Sequence, residues 1–101
     1  MKKTPAKKAA QNPPAKKRRV TFAIQSEPGR KVAVAGTFNH WDAETNLLKD
    51  KNKTGAYALA MLLPPGAHEY KFVIDGAWCV DPACSEWVQN DRGTLNSLLH
   101  I

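Results

Sequence analysis

The sequence of 101 residues lacks most of the features on which catalytic and metal-binding proteins depend. Its two cysteines, Cys79 and Cys84, are too few for a disulfide framework and lack the CxxC spacing of a zinc or redox site. The histidines His40, His68 and His100 show no metal-ligand spacing either. We therefore expect no metal and no cofactor, and we interpret both cysteines as structural thiols.

Catalytic motifs are also missing. The sequence contains neither the GxSxG of a nucleophile elbow nor a glycine-rich phosphate loop. Asp75 and Asp81 resemble a pair of catalytic carboxylates, but Asp75 belongs to a turn signal and Asp81 precedes Pro82 at a strand end. We therefore predict that the chain is not an enzyme.

Long hydrophobic runs are absent. No stretch approaches the roughly 18 apolar residues of a membrane span. Arg18 and Arg19 are not followed by the run of about 7 to 15 apolar residues that an export signal needs. We therefore expect a soluble, cytoplasmic protein. The hydrophobic content of 43% suffices for one modest core.

Acidic residues are absent from residues 1–19, which carry eight of the 15 basic residues and three prolines. The rest of the chain has seven bases against nine acids, so the net charge of +6 is concentrated in this segment. Because ordering it would cost backbone entropy with no compensating burial, we predict that residues 1–19 form a disordered basic tail and residues 20–101 one folded domain. Such a tail either binds nucleic acid or other polyanions nonspecifically or serves only as a solubilising tether.

The remaining sequence is a series of short β-branched and aromatic segments separated by Gly, Pro and Asn-Asp clusters. This pattern predicts an all-β, immunoglobulin-like antiparallel sandwich of about seven strands, with almost no helix. The predicted strands are VTFAIQ (20–25), KVAVAGTF (31–38), a weak strand around 46–49, YALAMLL (57–63), HEYKFVI (68–74), AWCV (77–80) and TLNSLLHI (94–101).

Asp75-Gly76 is the strongest hairpin signal in the chain. A two-residue loop at this point predicts that Val73 pairs with Trp78 and Lys71 with Val80. Because directly paired residues share a face of the sheet, Lys71, Val73 and Trp78 are predicted to lie on the solvent side. The other face is apolar and is predicted to line the core; its residues are Tyr70, Phe72, Ile74 and Cys79.

The tryptophans are the most informative side chains. Trp78 falls on the predicted solvent face, and the polar loop GTFNHWD (36–42) carries Trp41 beyond a strand end, where core packing is unexpected. Trp87 is ambiguous between surface and interior, and we favour a core or lid position. An exposed indole leaves a large apolar area in water, so Trp78 is either capped by a neighbouring loop or available to a ligand, and the second indole at Trp41 favours a ligand.

Two exposed indoles beside a lysine are suited to a sugar. An aromatic ring covers the apolar C–H face of a pyranose, while lysine and amide side chains bond its hydroxyl rim. Two rings that cover about 100 to 150 Å² of apolar area contribute roughly 3 kcal/mol before the costs of immobilisation. Affinity at one site is therefore expected to be weak and to increase on polymeric ligands.

Three motifs in this order and spacing resemble a known family: VAVAGTFNHWD, LPPGAHEYKFVIDGAWCVDP and GTLNSLLHI. They resemble the family 48 carbohydrate-binding modules, which include the glycogen-binding domain of AMP-activated protein kinase β subunits and the N-terminal domain of isoamylases and branching enzymes. The resemblance covers about 80 residues of the chain. It implies a β-sandwich that binds α-1,4-linked glucan, such as glycogen or maltooligosaccharide, without cleaving it.

The resemblance also implies which residues bind the sugar. The stacking tryptophans of the family correspond to Trp41 and Trp78, and its sugar-bonding lysine corresponds to Lys71. Its C-terminal threonine and asparagine correspond to Thr94 and Asn96.

One position departs from the family pattern. Where the kinase β domains have a leucine that pushes into the ring of the glucan, this sequence has Arg92. An arginine can stack on the sugar or donate to its hydroxyls, so we include Arg92 among the predicted carbohydrate-binding residues.

The sequence leaves two other functions open. In one, the chain is a protein-interaction adaptor whose basic tail binds nucleic acid or another polyanion. In the other, the sandwich has lost its sugar and uses the same aromatic surface for an unidentified protein partner. If glucan is the ligand, a role in targeting or regulating glycogen metabolism is expected.

Overall fold

A computed structural model describes residues 16–101 and contains seven β-strands and no helix in this part of the chain. The strands are β1 (Arg18–Gln25), β2 (Val32–Gly36), β3 (Ala56–Leu63), β4 (Ala67–Ile74), β5 (Ala77–Cys79), β6 (Trp87–Gln89) and β7 (Leu95–His100). Over the same residues, nothing with the length and apolarity of a membrane-spanning helix is found. The all-β prediction is confirmed.

The strands form two antiparallel sheets, which confirms the predicted sandwich. One sheet consists of β1 and β3, paired along their whole length from Arg18↔Leu63 to Gln25↔Ala56. The other sheet has the order β2-β4-β7-β6, and β5 pairs with the part of β4 that β7 does not reach. The isolated bridges Ala33↔Leu47 and Lys49↔Ala58 connect the second sheet to the first.

The inner faces of the two sheets enclose one aromatic core. Alternation along β1 buries Phe22 and leaves Ala23 exposed, as a strand with one wet face requires. From β4, Tyr70 and Phe72 enter the same core and are 4% and 0% exposed. The Phe22 and Tyr70 rings meet edge to face with their centroids 5.0 Å apart, a favoured aromatic arrangement. Ile74 and Cys79 pack against this cluster, as predicted.

The β4–β5 hairpin has the predicted register. Asp75 and Gly76 both have positive φ, 49° and 84°, which is the backbone of a two-residue type I′ turn. Val73 therefore pairs with Trp78, and the flanking residues pair in the same register. The predicted pairing of Lys71 with Val80 is not formed, because β5 ends at Cys79.

Three strand assignments differ from the prediction. The first strand begins at Arg18, inside the predicted tail, because Arg18 and Arg19 continue the backbone ladder with β3. The rest of that tail, residues 1–15, lies outside the described residues. The stretch around 46–49 forms only the two isolated bridges, and Trp87–Gln89 forms a strand that was not predicted.

Asp75 fastens the β4–β5 turn to the loop between β1 and β2. Its carboxylate accepts hydrogen bonds from the Lys31 backbone N–H, at 2.9 Å, and from the Arg30 guanidinium, at 3.0 Å. These two contacts, the backbone one foremost, hold the pKa of Asp75 below its usual value. The charged carboxylate therefore helps to keep the hairpin in place.

We predict that Asp75→Asn lowers the melting temperature at neutral pH, because the amide loses the charge that faces Arg30. A carboxyl group whose pKa is lowered by folding stabilises the native state above its unfolded pKa, about 3.9, and this contribution is lost as the pH falls through the folded value. The difference in melting temperature between the two proteins should therefore shrink below about pH 4, as followed by circular dichroism.

Asp91→Asn is the matched control, since Asp91 is exposed and makes no hydrogen bond to the residues that the structure describes. It should change the melting temperature little at either pH. A difference for Asp75→Asn that persists unchanged in strong acid would contradict this account.

Candidate functional site

A groove of about 760 Å³ lies on the outer face of the second sheet, away from the main core. All six predicted site residues line it. They come from separate parts of the chain, so the fold brings them together; they are Trp41, Lys71, Trp78, Arg92, Thr94 and Asn96. Thr37, Glu69 and Asn90 also line the groove and were not predicted.

The hairpin register presents Trp78 to the groove. Trp78 pairs with Val73, so its side chain lies opposite the face that carries Phe72 and Cys79 into the core. The indole is 48% exposed, which confirms the predicted surface position. An aromatic side chain fixed on a strand and open on one side is a suitable stacking surface.

Trp41 is more buried than predicted. Ala33, Ala35 and Val73 form a second, small apolar cluster on the outer face of the sheet, and Trp41 packs against it together with Ala43. The indole is therefore half-buried and only part of it is open to the groove. The loop after β2 covers this side of the sheet, so Val73, which was predicted to face solvent, is only 5% exposed.

Asn39 organises the loop that carries Trp41. Its side-chain oxygen accepts from the Gly36 N–H at 2.9 Å, and its amide group donates to the Val34 carbonyl at 3.0 Å and to the Asn46 side chain at 2.8 Å. The Trp41 N–H donates to the Gly36 carbonyl at 2.9 Å. These hydrogen bonds fold the chain back on itself immediately after the strand.

The same loop has a constrained backbone. His40 and Trp41 both have φ of 58°, a left-handed conformation that is uncommon for bulky residues and costs of order 1 to 3 kcal/mol. Gly36 begins the loop where a β-carbon would lie 2.4 Å from the Glu69 carbonyl oxygen, so only glycine fits. The position of Trp41 is thus fixed by its surroundings rather than by local preference.

Polar side chains form a connected row beside the tryptophans. The Lys71 ammonium donates to Thr94 Oγ1 at 3.1 Å, and the Asn90 amide donates to the same oxygen at 2.6 Å and to Asn96 Oδ1 at 3.1 Å. Asn96 in turn donates to Glu69 Oε1 at 2.9 Å. This hydrogen-bonded row joins three predicted residues, Lys71, Thr94 and Asn96, to two that were not predicted, Asn90 and Glu69.

Asn90 is the organising residue that the sequence analysis missed. Besides its two side-chain partners, its Oδ1 accepts from the backbone N–H groups of Arg92 and Thr94, both at 3.0 Å. The Gly93 N–H donates to the Asn90 carbonyl at 3.1 Å. The signal was available in the sequence, because an asparagine followed by Asp-Arg-Gly is typical of a side-chain-stabilised turn.

Arg92 lies at the exposed tip of this turn. Its side chain lines the groove and makes no hydrogen bond or ion pair with any residue between 16 and 101. The guanidinium is therefore available to a ligand. Lys71 and Arg92 are balanced by Glu69 and Asp91 along the same groove, so the site as a whole favours a neutral polar ligand.

Trp87 does not belong to the groove, and the prediction of a core or lid position is wrong. It pairs with Ser97, which faces the core side of the sheet, so its side chain projects from the opposite face to Asn96. β6 is an edge strand of its sheet, and the indole is 54% exposed.

The two thiols lie apart from the groove lining. Burial raises the pKa of Cys79, which packs against the core, and the Cys84 thiol donates to the carbonyls of Glu86 and Leu98 at 3.2 and 3.3 Å. Within the described part of the chain, no group of three His, Cys, Asp or Glu residues is arranged to hold a metal ion.

Comparison with known proteins identifies the family of this chain. The family model described as the glycogen recognition site of AMP-activated protein kinase matches residues 19–101. The mouse (Mus musculus) 5'-AMP-activated protein kinase subunit beta-2 is 38% identical over 88 residues, which are 87% of this chain and 31% of that protein. The chain thus spans less than a third of that relative's length.

Two further relatives match over a shorter stretch. The 5'-AMP-activated protein kinase subunit beta-1 of the pig (Sus scrofa) is 33% identical over 73 residues, 72% of this chain and 56% of that sequence. The chloroplastic protein FLOURY ENDOSPERM 6 of rice (Oryza sativa subsp. japonica) is 31% identical over 83 residues, 82% of this chain and 15% of that protein.

We predict that Asn90→Ala lowers the free energy of unfolding by about 1 to 2 kcal/mol, because it removes the acceptor of two backbone N–H groups in the turn. Asn90→Asp keeps that acceptor, loses the amide donor and adds a negative charge near the Lys71 ammonium, so its loss should be smaller. Urea denaturation of the two variants measures both values. A larger loss for Asn90→Asp than for Asn90→Ala would contradict the role of Asn90 in the turn.

Proposed function

The chain belongs to the family of the glycogen recognition site of AMP-activated protein kinase, and from this premise we propose that its outer groove binds α-1,4-linked glucan such as glycogen without cleaving it. The observation that carries the proposal is that the six residues predicted from the sequence and from the family resemblance all line one groove. They come from four separate segments of the chain, so the fold is needed to bring them together.

The two indoles provide the apolar contacts. Trp78 is open on the sheet surface, and the exposed part of Trp41 faces the same groove. Each ring covers the C–H face of one glucose unit, so successive units of a curved α-1,4 chain occupy the two platforms. Because Trp41 packs against the small apolar cluster before binding, little side-chain entropy is lost at this residue on association.

The polar row provides the contacts to hydroxyl groups. Lys71 and Thr94 lie at hydrogen-bond distance from each other and face the groove, so the remaining N–H groups of the Lys71 ammonium and the O–H of Thr94 are available as donors to the rim of a sugar ring. Asn96 is only 5% exposed and donates to Glu69, so we assign it a supporting as well as a contacting role. The balanced charge of the groove matches a neutral polysaccharide.

At Arg92 the groove has a charged side chain where the kinase β domains have a leucine. A planar guanidinium presents five donors, so it bonds sugar hydroxyls from the rim of the groove, where a leucine would offer only an apolar wedge. We propose that this chain grips the outer hydroxyl edge of a glucan strand at Arg92.

A non-catalytic role is supported by the composition of the groove. Of its acidic side chains, the Glu69 carboxylate is bonded to Asn96, and no histidine or cysteine lines the groove among the described residues. Among residues 16–101, the groove lining therefore offers no thiol nucleophile and no imidazole base. We propose that binding targets the chain to glycogen, where many equivalent sites compensate for weak single contacts.

We predict that Trp78→Ala weakens binding to maltoheptaose about tenfold and abolishes retention on glycogen. The loss of roughly 60 Å² of stacking area corresponds to about 1.5 kcal/mol. Trp41→Ala should weaken binding similarly but also lower the melting temperature, because Trp41 packs against the small apolar cluster. Isothermal calorimetry and co-sedimentation with glycogen measure these effects.

Trp87→Ala is the matched control, since it removes an indole of similar exposure, 54% against 48% for Trp78, from outside the groove. It should leave both measurements unchanged. Equal affinity of the wild type and Trp78→Ala for maltoheptaose would refute the proposed site, and the groove would then have to be considered as a surface for a protein partner.

A further inference from the structure

One edge of β1 is open for the whole length of the strand. The Ser26 N–H donates to the Gly55 carbonyl at 2.8 Å, one step beyond the last residue pair of β1 and β3, so these two residues form a hydrogen-bonded pair of the ladder. Such pairs alternate with pairs whose backbone groups point the other way. The residues whose N–H and C=O groups point away from β3 are therefore Arg19, Thr21, Ala23 and Gln25. Among residues 16–101, no other strand or loop supplies these groups with a backbone partner.

The sequence of β1 does not protect this edge. The opposite edge of the same sheet is partly covered, because Ala58 exchanges two backbone hydrogen bonds with Lys49, both at 3.0 Å. Residues 20–25 of β1, in contrast, contain no proline and no charged side chain, and their pairing with β3 has no bulge. These are the features by which edge strands usually avoid further pairing. An edge without them is a template for an added strand.

An apolar cavity of about 450 Å³ lies beside the C-terminal half of this edge. The end of β1, the start of β3 and the loop after β5 line it together. Its apolar lining residues include Ala23, Ile24, Ala56, Pro82 and Ala83. A strand added to β1 would therefore meet a place for one of its side chains.

The polar side chains of the cavity are already bonded. The Tyr57 hydroxyl donates to a carbonyl of the loop after β1 at 2.6 Å, and the Gln25 amide donates to a carbonyl of the loop before β3 at 3.1 Å. The Asp81 carboxylate accepts from the Tyr70 hydroxyl at 2.7 Å and from the Ala83 N–H at 2.9 Å. The cavity therefore suits an apolar side chain.

The N-terminal end of the same edge is positively charged. The four residues Lys16, Lys17, Arg18 and Arg19 are exposed, and none of them forms an ion pair with any other described residue. An extended chain that pairs antiparallel with β1 runs from the cavity toward these cations. Acidic residues after its apolar residue would complement them.

A second copy of this chain fits the edge less well than a separate segment. The Phe22 side chain is 3% exposed and belongs to the core of its own domain. The fully exposed side chains that β1 of a second copy could offer beyond its charged end are those of Thr21, Ala23 and Gln25, which are small or polar. None of these would fill an apolar cavity.

We propose that the open edge of β1 binds an extended segment of a partner protein as an added antiparallel strand, with an apolar side chain in the cavity and acidic residues beside Arg18 and Arg19. Backbone hydrogen bonds supply affinity, and the cavity and the cations supply selectivity. The cavity shares no lining residue with the glucan groove. This second binding surface is therefore independent of the proposed sugar site.

The first test uses the synthetic peptide acetyl-Ser-Leu-Thr-Val-Thr-Val-Glu-Glu-amide. Its register with β1 puts Leu opposite Ile24 and the two Glu residues opposite Arg19 and Arg18. Titration into the ¹⁵N-labelled chain should slow solvent exchange of the Thr21 and Ala23 N–H groups about tenfold or more at saturation, because both gain a strand partner. The indole N–H signals of the groove tryptophans should not shift.

Backbone methylation of the peptide separates strand addition from other apolar binding. N-methylation of its two Thr residues removes N–H groups that face β1, and it should weaken binding about tenfold or more. N-methylation of its two Val residues, whose N–H groups point to solvent, is the matched control and should change the affinity less than about threefold.

The cavity is tested from the side of the protein. Ala83→Phe fills it from an exposed position and should weaken peptide binding about tenfold, whereas Ala67→Phe changes an exposed alanine outside it and should have no effect. Circular dichroism checks that both variants fold.

Three results would overturn the proposal. One is the absence of peptide binding at millimolar concentration. Another is equal weakening by the two methylated peptides. The last is a dimer of the free chain, seen by sedimentation, in which the Thr21 and Ala23 N–H groups are already protected, since the edge would then belong to a second copy.

Discussion

The pairing of Val73 with Trp78 is the constraint on which the arrangement of this protein depends. It is set by the two-residue turn at Asp75 and Gly76, and it fixes which residues of β4 and β5 face inward. Because β4 is held by its pairing with β2 and β7, a shift of one residue in this register would turn Trp78 onto the core face of Phe72 and Cys79 onto the wet face, so the burial of Cys79 and the exposure of the indole have the same cause. Stability and the candidate site are thus specified together.

Two asparagine side chains fix the conformation of the loops beside the sheet. Asn39 closes the loop that carries Trp41, and Asn90 closes the turn that carries Arg92 and Thr94. Both do so by supplying an acceptor to backbone N–H groups that no strand partner would satisfy. The sheet therefore forms the floor of the groove, and short-range hydrogen bonds hold the loops at its sides. Such preorganisation lowers the entropy lost on association, which matters for a ligand that binds each site weakly.

The sequence predicted those features that depend on local pattern. Alternation and turn chemistry were enough for the hairpin register and for the exposed position of Trp78. The half-burial of Trp41 was not predicted, because it depends on small residues of another strand forming an apolar cluster under its loop. The exposure of Trp87 was missed for a similar reason, since it goes with the place of β6 at the edge of its sheet, which local pattern does not reveal. The role of Asn90 was visible as a turn motif, but its partners across the groove were not.

The central claim is that α-glucan occupies the outer groove that Trp41 and Trp78 line. The most direct measurement is a titration of the ¹⁵N-labelled protein with maltoheptaose, followed through the three indole N–H signals, one for each tryptophan of the chain. The account predicts that the signals of Trp41 and Trp78 shift together along one binding curve while that of Trp87 stays in place. Shifts confined to Trp87, or no shift of any indole signal at millimolar sugar, would contradict it.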